Sequence, residues 1–227
     1  MMVKNQNQKL KKNKPIRRIR FDIITIFPNI FDSYLKESLI KRAIKNKIIE
    51  VKIHNLRDWS NDRRGKVDDR PFGGGPGMVL KFDPISRAVE KVKLKKSKTR
   101  VILFSLRGQK LDENQTQKLT QFDQIILICG RYEGIDERVA KYIVDEEISI
   151  GDFVLSGGEL PALVLIEAIS RFQPGFLGKY ESLETIKGSY PVYTKPAEVK
   201  YKTKKLAVPK ILLTGHHQKI HEWRKNT

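Results

Sequence analysis

Short apolar segments that alternate with helical stretches constrain the fold of this chain more than any other feature of its sequence. We predict strands at residues 21–27, 48–53, 101–105, 125–129 and 147–150. We predict helices at residues 31–44, 83–96, 112–122, 135–143 and 159–172. Continuous apolar runs suit parallel strands that are covered on both faces. The βαβ order therefore predicts an α/β fold with a mostly parallel sheet.

The charge of the chain indicates a polyanionic partner. Lys and Arg number 45 and Asp and Glu 26, and the net charge of +19 is typical of nucleic-acid binding. Taken alone, a lysine-rich composition without functional meaning explains this charge equally well. Cys129 is the only cysteine, which excludes a disulfide within the chain. No apolar run approaches the length of a membrane span, so a cytoplasmic protein without membrane association is expected.

The chain is expected to have four parts. Residues 1–18, mainly Lys, Asn and Gln, have almost nothing to bury and are predicted to be a disordered basic arm. Residues 19–177 hold the predicted α/β domain. A linker rich in Gly, Ser, Pro and Tyr follows at 178–196, and residues 197–227 are expected to supply a helix or two, as a reduced helical C-terminal domain.

Three glycine-bearing segments lie at the ends of predicted strands, at residues 105–110, 129–138 and 149–161. Ligands bind at such strand ends in open α/β sheets, and glycine lets backbone approach a ligand closely. None of the segments matches GxGxxG or GxxxxGK[ST], so a dinucleotide fingerprint or a P-loop is not supported. Together they could form a pocket for an adenine and a ribose. Any one of them alone is better explained as a tight turn.

Five segments carry a resemblance to a known family. They are CGRYEGIDERV at 129–139, SIGDFVLSGGELPA at 149–162, SRFQPG at 170–175, DDRPFGGGPGM at 68–78 and VYTKP at 192–196. In this order they resemble the TrmD family of the SPOUT methyltransferases, over roughly residues 20–224. The resemblance implies a deep trefoil knot in the sheet and a tRNA (guanine-N1)-methyltransferase that uses S-adenosylmethionine.

The resemblance also implies which residues surround the cofactor. Those that match the family are Phe104, Ser105, Leu106, Gly130, Tyr132, Glu133, Ile150, Gly151, Asp152, Phe153, Val154, Leu155, Gly157, Gly158 and Pro161. Leu106 stands where the family has a proline. Asp68, Asp69, Arg70 and Gly75 fall in a loop that the family places near the cofactor and the target base, although a flexible surface loop is the alternative.

The guanine N1 carries a proton, so its methylation requires a general base and a group that stabilises charge on O6. Arg171 matches the arginine that the family uses for the second task. The family's linker aspartate is missing, and Glu184 is the nearest replacement, with Glu181 the second. The resemblance suggests a requirement for Mg²⁺ without giving its ligands. The histidines at 216, 217 and 221 are better explained as surface or RNA-facing residues than as a metal site.

The expected activity is N1 methylation of the guanosine at position 37 of tRNA by a homodimer whose active sites take parts from both chains. The strongly apolar helix at 159–172 is predicted to be buried all round, either by a partner chain or as an internal core helix. Two other functions remain open. The missing aspartate leaves room for a non-enzymatic RNA-binding protein, although the intact loops between Gly130 and Pro161 argue against it. The other is a ribose 2′-hydroxyl methyltransferase, whose usual motifs are not seen.

Overall fold

The structure is a computed structural model that describes residues 18–179, 182, 183, 186 and 188–226. The arm predicted at 1–18 lies outside this range except for Arg18. The chain divides after Gly178 into two compact units. In the described residues, no helix is long and apolar enough to cross a membrane.

The first unit is built around a five-stranded parallel sheet. Its strands are β1 (Ile19–Thr25), β2 (Ile49–Asn55), β5 (Thr99–Lys110), β6 (Gln124–Ile128) and β7 (Glu146–Ser149). Their order across the sheet is β2-β1-β6-β5-β7, and every neighbouring pair is parallel. The predicted α/β class with a mostly parallel sheet is confirmed. The two remaining strands of this unit, β3 (Asp68–Asp69) and β4 (Val79–Leu80), form a separate antiparallel ribbon.

Helices cover both faces of the sheet, as the continuous apolar strands predicted. They are α1 (Asp32–Leu35), α2 (Ser38–Lys45), α3 (Phe82–Val92), α4 (Glu113–Leu119), α5 (Glu137–Tyr142) and α6 (Glu159–Ser170), with 3₁₀ turns at Pro28–Phe31 and Leu56–Trp59. Alternate residues of β6 point to opposite faces: Ile125 and Leu127 join the core that contains α6, and Ile126 and Ile128 join the core under α3.

One predicted helix, at residues 31–44, is interrupted in the structure. A 3₁₀ turn and the short α1 precede α2, and Ser38, the first residue of α2, has a φ of 51°. An L residue with positive φ cannot continue a right-handed helix, so the chain changes direction there. The four-residue spacing of Phe31, Leu35 and Leu39 persists across this break because all three side chains pack in the same core.

The long strand β5 leaves the sheet and returns to it. It pairs with β7 from Ile102 to Phe104 and again from Gln109, so residues 105–108 loop out between the two paired stretches. This strand was predicted to end at residue 105. A Cβ at Gly108 would lie 2.5 Å from the backbone nitrogen of Ile148, so the return passes too close to β7 for any side chain.

The second unit contains a β-hairpin that the sequence did not predict. Strands β8 (Glu198–Tyr201) and β9 (Lys204–Ala207) pair antiparallel, and helices α7 (Lys210–Leu213) and α8 (His217–Lys225) follow. The expectation of helices alone was therefore incomplete. All eight hairpin residues are exposed, and the alternation of polar and apolar residues is limited to the short β8, which is too brief to identify a hairpin in sequence.

Candidate active site

The outward loop of β5 at residues 105–108 and the loops that follow β6 and β7 meet at one edge of the sheet and line an open cavity of about 470 Å³. The strands are parallel and adjacent, so their carboxyl ends lie at one edge of the sheet and their loops converge there. The volume lies within the roughly 300–1,000 Å³ of small-molecule sites. The three segments are the glycine-bearing loops singled out in the sequence. The three loops therefore form one common site, and they are not merely isolated tight turns.

The cavity brings together all the residues predicted around the cofactor except Asp152. Its wall includes Phe104, Ser105, Leu106, Gly130, Tyr132, Glu133, Ile150, Gly151, Phe153, Val154, Leu155, Gly157, Gly158 and Pro161. Asp152 does not line it. The Asp152 carboxylate is exposed and forms an ion pair with Lys110. A sequence neighbour of lining residues can thus point away from them, because the loop turns sharply at Gly151, where φ is 156°.

Two carboxylates in the wall were not singled out from the sequence. Glu137 pairs with Arg107, with 2.9 Å between Oε2 and Nη2, and this hydrogen bond raises the pKa of Arg107 above its ordinary value. Glu147 lies 3.8 Å from the same guanidinium nitrogen, and its buried Oε2 atom has no hydrogen-bond partner among the described residues. Glu147 therefore has an acceptor available for a ligand in the cavity.

A buried carboxylate joins the loops behind the cavity. Glu159 begins α6 and is 1% exposed. One oxygen accepts a hydrogen bond from the Thr25 hydroxyl at 2.7 Å, and the other accepts one from Nε of Arg131 at 2.9 Å. Arg131 also donates to the carbonyl of Ser156, and its guanidinium lies 4.8 Å from the centre of the Phe27 ring. This one carboxylate thus connects the end of β1 to two of the cavity loops.

The packing around this ion pair explains why two glycines follow Ser156. A Cβ at Gly157 would lie 2.3 Å from Nε of Arg131, and one at Gly158 would lie 2.7 Å from the Cα of Cys129. The Gly158 amide donates to the Gly130 carbonyl at 3.0 Å. Cys129 is buried beside them, and burial raises the pKa of its thiol well above the ordinary value. The thiol is therefore no nucleophile at neutral pH.

The residues predicted to contact the substrate lie on the β3–β4 ribbon and not in the cavity wall. Asp68 pairs with Leu80 across the ribbon. The Asp69 carboxylate accepts the Arg70 amide and pairs with Lys66 and Lys81, and these contacts lower its pKa to about 2. Asp69 therefore stays ionised at neutral pH and serves to hold the ribbon. Gly75 lies in the loop between the two strands, with a φ of 122°.

Arg171 stands at the opposite end of α6 from the cavity. It follows the last residue of the helix, whereas Pro161, ten residues earlier, lines the cavity. At 1.5 Å per residue these positions are about 15 Å apart along the axis. The structure therefore does not bring Arg171 into the cavity of its own chain.

Glu184 and Glu181, the two candidates for the base, lie outside the described residues. Among the residues that are described, no group of three or more His, Cys, Asp and Glu side chains could hold a metal ion.

The fold and the cavity define an α/β protein with a small-molecule site at the carboxyl edge of a parallel sheet, next to a ribbon that carries charged residues. Residues 19–227 match the family of tRNA (Guanine-1)-methyltransferase TrmD. The chain belongs to this TrmD family of methyltransferases, which confirms the family and the enzyme class predicted from its motifs.

Individual relatives agree with this assignment. A protein of Geotalea uraniireducens named tRNA (guanine-N(1)-)-methyltransferase is 48% identical over 91% of this chain and 84% of its own length. A protein of the same name from Clostridioides difficile is 46% identical over 91% of each. The crystal structure of tRNA (m1G37) methyltransferase from Aquifex aeolicus superposes with a TM-score of 0.76 at 43% identity, covering 92% of this chain and 91% of that one.

We predict that Glu159→Ala lowers the free energy of unfolding by about 3 kcal/mol. Removing one partner of a buried ion pair costs about 3–5 kcal/mol, and the lower end applies because a fifth of the Arg131 side chain still reaches water. Urea unfolding followed by circular dichroism measures the change. Glu90→Ala, at an exposed helix position, is the control and should shift stability by no more than about 0.5 kcal/mol. Equal effects in the two variants would show that Glu159 does not hold the loops together.

Proposed function

We propose that this chain transfers a methyl group from S-adenosylmethionine to N1 of the guanosine at position 37 of tRNA. The observation that carries the proposal is the cavity at the carboxyl edge, formed by the loops whose sequences mark the TrmD family. The named relatives are tRNA (guanine-N(1)-)-methyltransferases, and the superposed structure is that of a tRNA (m1G37) methyltransferase. The cytoplasm, where tRNA is modified, is the compartment in which we propose that it acts.

The residues of the cavity fit S-adenosylmethionine. Its wall combines apolar side chains, including Leu103, Ile148 and Pro161, with backbone that glycines leave accessible. A flat adenine suits such walls, and the carboxylate of Glu147, which lines the cavity, can accept a hydrogen bond from a ribose hydroxyl. When bound, S-adenosylmethionine supplies an electrophilic methyl group on a sulfonium sulfur. The task of the protein is then to hold the guanine, remove the N1 proton and stabilise the charge on O6.

We propose that Arg171 acts in the active site of a second chain. A guanidinium stays charged and offers donors in a fixed fork, which suits the stabilisation of a developing oxyanion. Arg171 is about 15 Å along α6 from the cavity of its own chain. It lies on the same side of the helix as Leu160 and Val164, which precede it by eleven and seven residues.

The exposed side of α6 supports a twofold dimer. The helix was predicted to be buried all round, but Leu160 is 56% exposed and Val164 is 46% exposed in the single chain. An internal core helix would not leave these two residues open. Two α6 helices that pack antiparallel along this stripe would place Arg171 of each chain beside Leu160 of the other, next to the cavity.

The trefoil knot is likewise a proposal, and close passages of the chain support it. The loop after β7 reaches back so that Gly158 lies against Cys129 and Gly130 at the end of β6. The loop of β5 returns across β7 at Gly108 with no room for a side chain. Segments that are distant in sequence thus pass each other at backbone contact, which is the packing that a threaded chain requires.

We propose that the positive charge of the chain binds the phosphates of its tRNA substrate. The excess of Lys and Arg suits phosphate contacts, which give affinity without choosing a base. In the second unit the exposed hairpin carries Lys200, Lys202, Lys204 and Lys205. The described residues offer no cluster of ligands for Mg²⁺, so we assign it no site and no step.

The proposed activity is tested by methyl transfer to tRNA transcripts with mapping of the product. We expect N1-methylguanosine at position 37 and no incorporation into transcripts that carry another base there. A methyl group on a ribose would favour the 2′-hydroxyl alternative. Binding of tRNA without any methylation would favour the non-enzymatic one.

We predict that Glu184→Gln lowers kcat by about 100-fold or more and leaves the affinity for S-adenosylmethionine nearly unchanged, because a general base is lost while its shape is kept. Glu181→Gln is the matched control in the same linker and should retain kcat. Steady-state kinetics and calorimetric titration measure the two quantities. The reverse pattern would move the role of base to Glu181, and two active variants would exclude both residues.

We predict that two inactive variants regain activity when they are refolded together. Gly130→Leu fills the cavity, and Arg171→Ala removes the guanidinium. In a mixed dimer, the cavity of the Arg171→Ala chain meets the intact Arg171 of its partner. Random pairing makes about half of the dimers mixed, each with one working site, so about a quarter of wild-type activity should return. Each variant refolded alone is the control. Confirmed mixed dimers without activity would show that the cavity and Arg171 act within one chain.

A further inference from the structure

The loop between β3 and β4 presents a phenylalanine to solvent. Phe72 is 102% exposed, so its side chain packs against nothing in the described part of the chain. It is followed by Gly73 and Gly74, and a Cβ built at either glycine would meet no atom within 4 Å. The tip of the loop thus stands clear of the protein. Full exposure of a phenyl ring gives no stabilisation to the fold, because burial is the source of its hydrophobic free energy.

Although the tip is free, both ends of this loop are held. The strands pair at Asp68 with Leu80 and at Asp69 with Val79, and Lys81 donates its amide to the carbonyl of Val67 at 2.8 Å. The ion pairs of Asp69 with Lys66 and Lys81 add to this support. Phe72 therefore projects from a defined base and not from a long unstructured segment.

The base of the loop is also bonded to the wall of the cavity. Glu133 donates its amide to the Met78 carbonyl at 3.0 Å, and Leu80 donates to the Gly134 carbonyl at 3.0 Å. Glu133 and Gly134 both line the cavity. Gly77 passes so close to Glu133 that a Cβ would lie 2.6 Å from that side chain. The ribbon and the cavity wall are thus one connected piece of structure.

Positive charge accompanies the exposed ring. Arg63, Arg64 and Arg70 are exposed, and among the described residues no carboxylate lies within ion-pair distance of their guanidinium groups. Proteins bind single-stranded nucleic acid by combining cations for the phosphates with aromatic rings on which the bases stack. A lone exposed phenylalanine has no such meaning, but here Arg70 shares the β3–β4 loop with the ring, Arg63 and Arg64 lie in the turn that precedes β3, and the ribbon is bonded to the cavity wall.

We propose that Phe72 is a stacking platform for an unpaired nucleobase of the RNA substrate, with Arg63, Arg64 and Arg70 binding the phosphates on either side. The inference rests on the proposed function and adds to it a contact outside the cofactor cavity. Stacking accepts any base, so this contact would position the loop of the RNA without selecting its sequence. The choice of the guanine to be methylated would remain with the residues around the cavity.

The first experiment compares two substitutions of Phe72 in the full chain. Phe72→Leu keeps an apolar side chain but removes the ring, and we expect tRNA to bind about 10-fold more weakly, with KM for tRNA raised and the affinity for S-adenosylmethionine unchanged. Phe72→Trp keeps a ring and should retain wild-type binding. Tyr142→Leu, which removes another exposed aromatic ring at the end of α5, is the control and should change neither.

The second experiment identifies the base. A series of tRNA transcripts is made, each with an abasic site at a different position of the anticodon loop. In one of these transcripts, wild type and Phe72→Leu should bind with equal affinity. The base that is missing from this transcript is the one that stacks on the ring of Phe72. If no abasic site reduces the difference, or if the two proteins bind unmodified tRNA equally, the stacking role is wrong.

Three outcomes would overturn the inference, and each has a different meaning. A change in the sedimentation coefficient of Phe72→Leu without RNA would show that the ring packs against a second copy of the chain. Failure of the wild-type protein to methylate or bind tRNA would remove the proposed function itself. Normal methylation by the wild type, with no effect of Phe72→Leu, would remove only the stacking role.

Discussion

The buried Glu159 carboxylate is the interaction on which the rest of the site depends. It is held by a hydroxyl at the end of β1 and by a guanidinium in the loop after β6, and it begins the helix that follows the loop after β7. A carboxylate without these partners could not remain buried, because the loss of hydration would go uncompensated. The same ion pair leaves no space for a side chain at Gly157, and the backbone of Cys129 leaves none at Gly158, so the loop lies against the end of β6. The shape of the cavity follows from this arrangement.

Helix α6 relates the cavity to the proposed assembly. Its first turn forms part of the cavity wall, and its far end carries Arg171, about 15 Å away. A straight helix cannot bring both ends to one ligand. The exposed stripe at Leu160 and Val164 can bring the cavity of one chain close to Arg171 of another. Antiparallel pairing of two such stripes places the end of one helix beside the start of the other. In the proposed enzyme, catalysis and dimerisation therefore depend on the same surface.

The ribbon of β3 and β4 is proposed to contact the RNA substrate, whereas the cavity is proposed to bind the cofactor. It contributes nothing to the cavity lining, yet hydrogen bonds from the Glu133 amide and to the Gly134 carbonyl attach it to the wall. Rigid attachment at the base and a free, glycine-rich tip suit a segment that meets a large, flexible partner. The low pKa of Asp69 keeps its ion pairs intact at neutral pH, so the base of the ribbon does not depend on small changes in acidity.

The α/β class, the parallel strands, the family and the loops that form the cavity could all be predicted from the amino-acid sequence. These features follow from local patterns: apolar runs record strands buried on both faces, and glycines record backbone that lies too close to other atoms for a side chain. Three features of the site became visible only in the folded chain: Asp152 turns away from the cavity, Arg171 lies at the far end of α6, and one oxygen of Glu147 makes no hydrogen bond among the described residues. The same is true of the hairpin in the second unit, whose exposed strands show apolar alternation only in the short β8 and not in β9. The physical reason is that the direction and the partners of a side chain depend on contacts between segments distant in the chain, which no local pattern records.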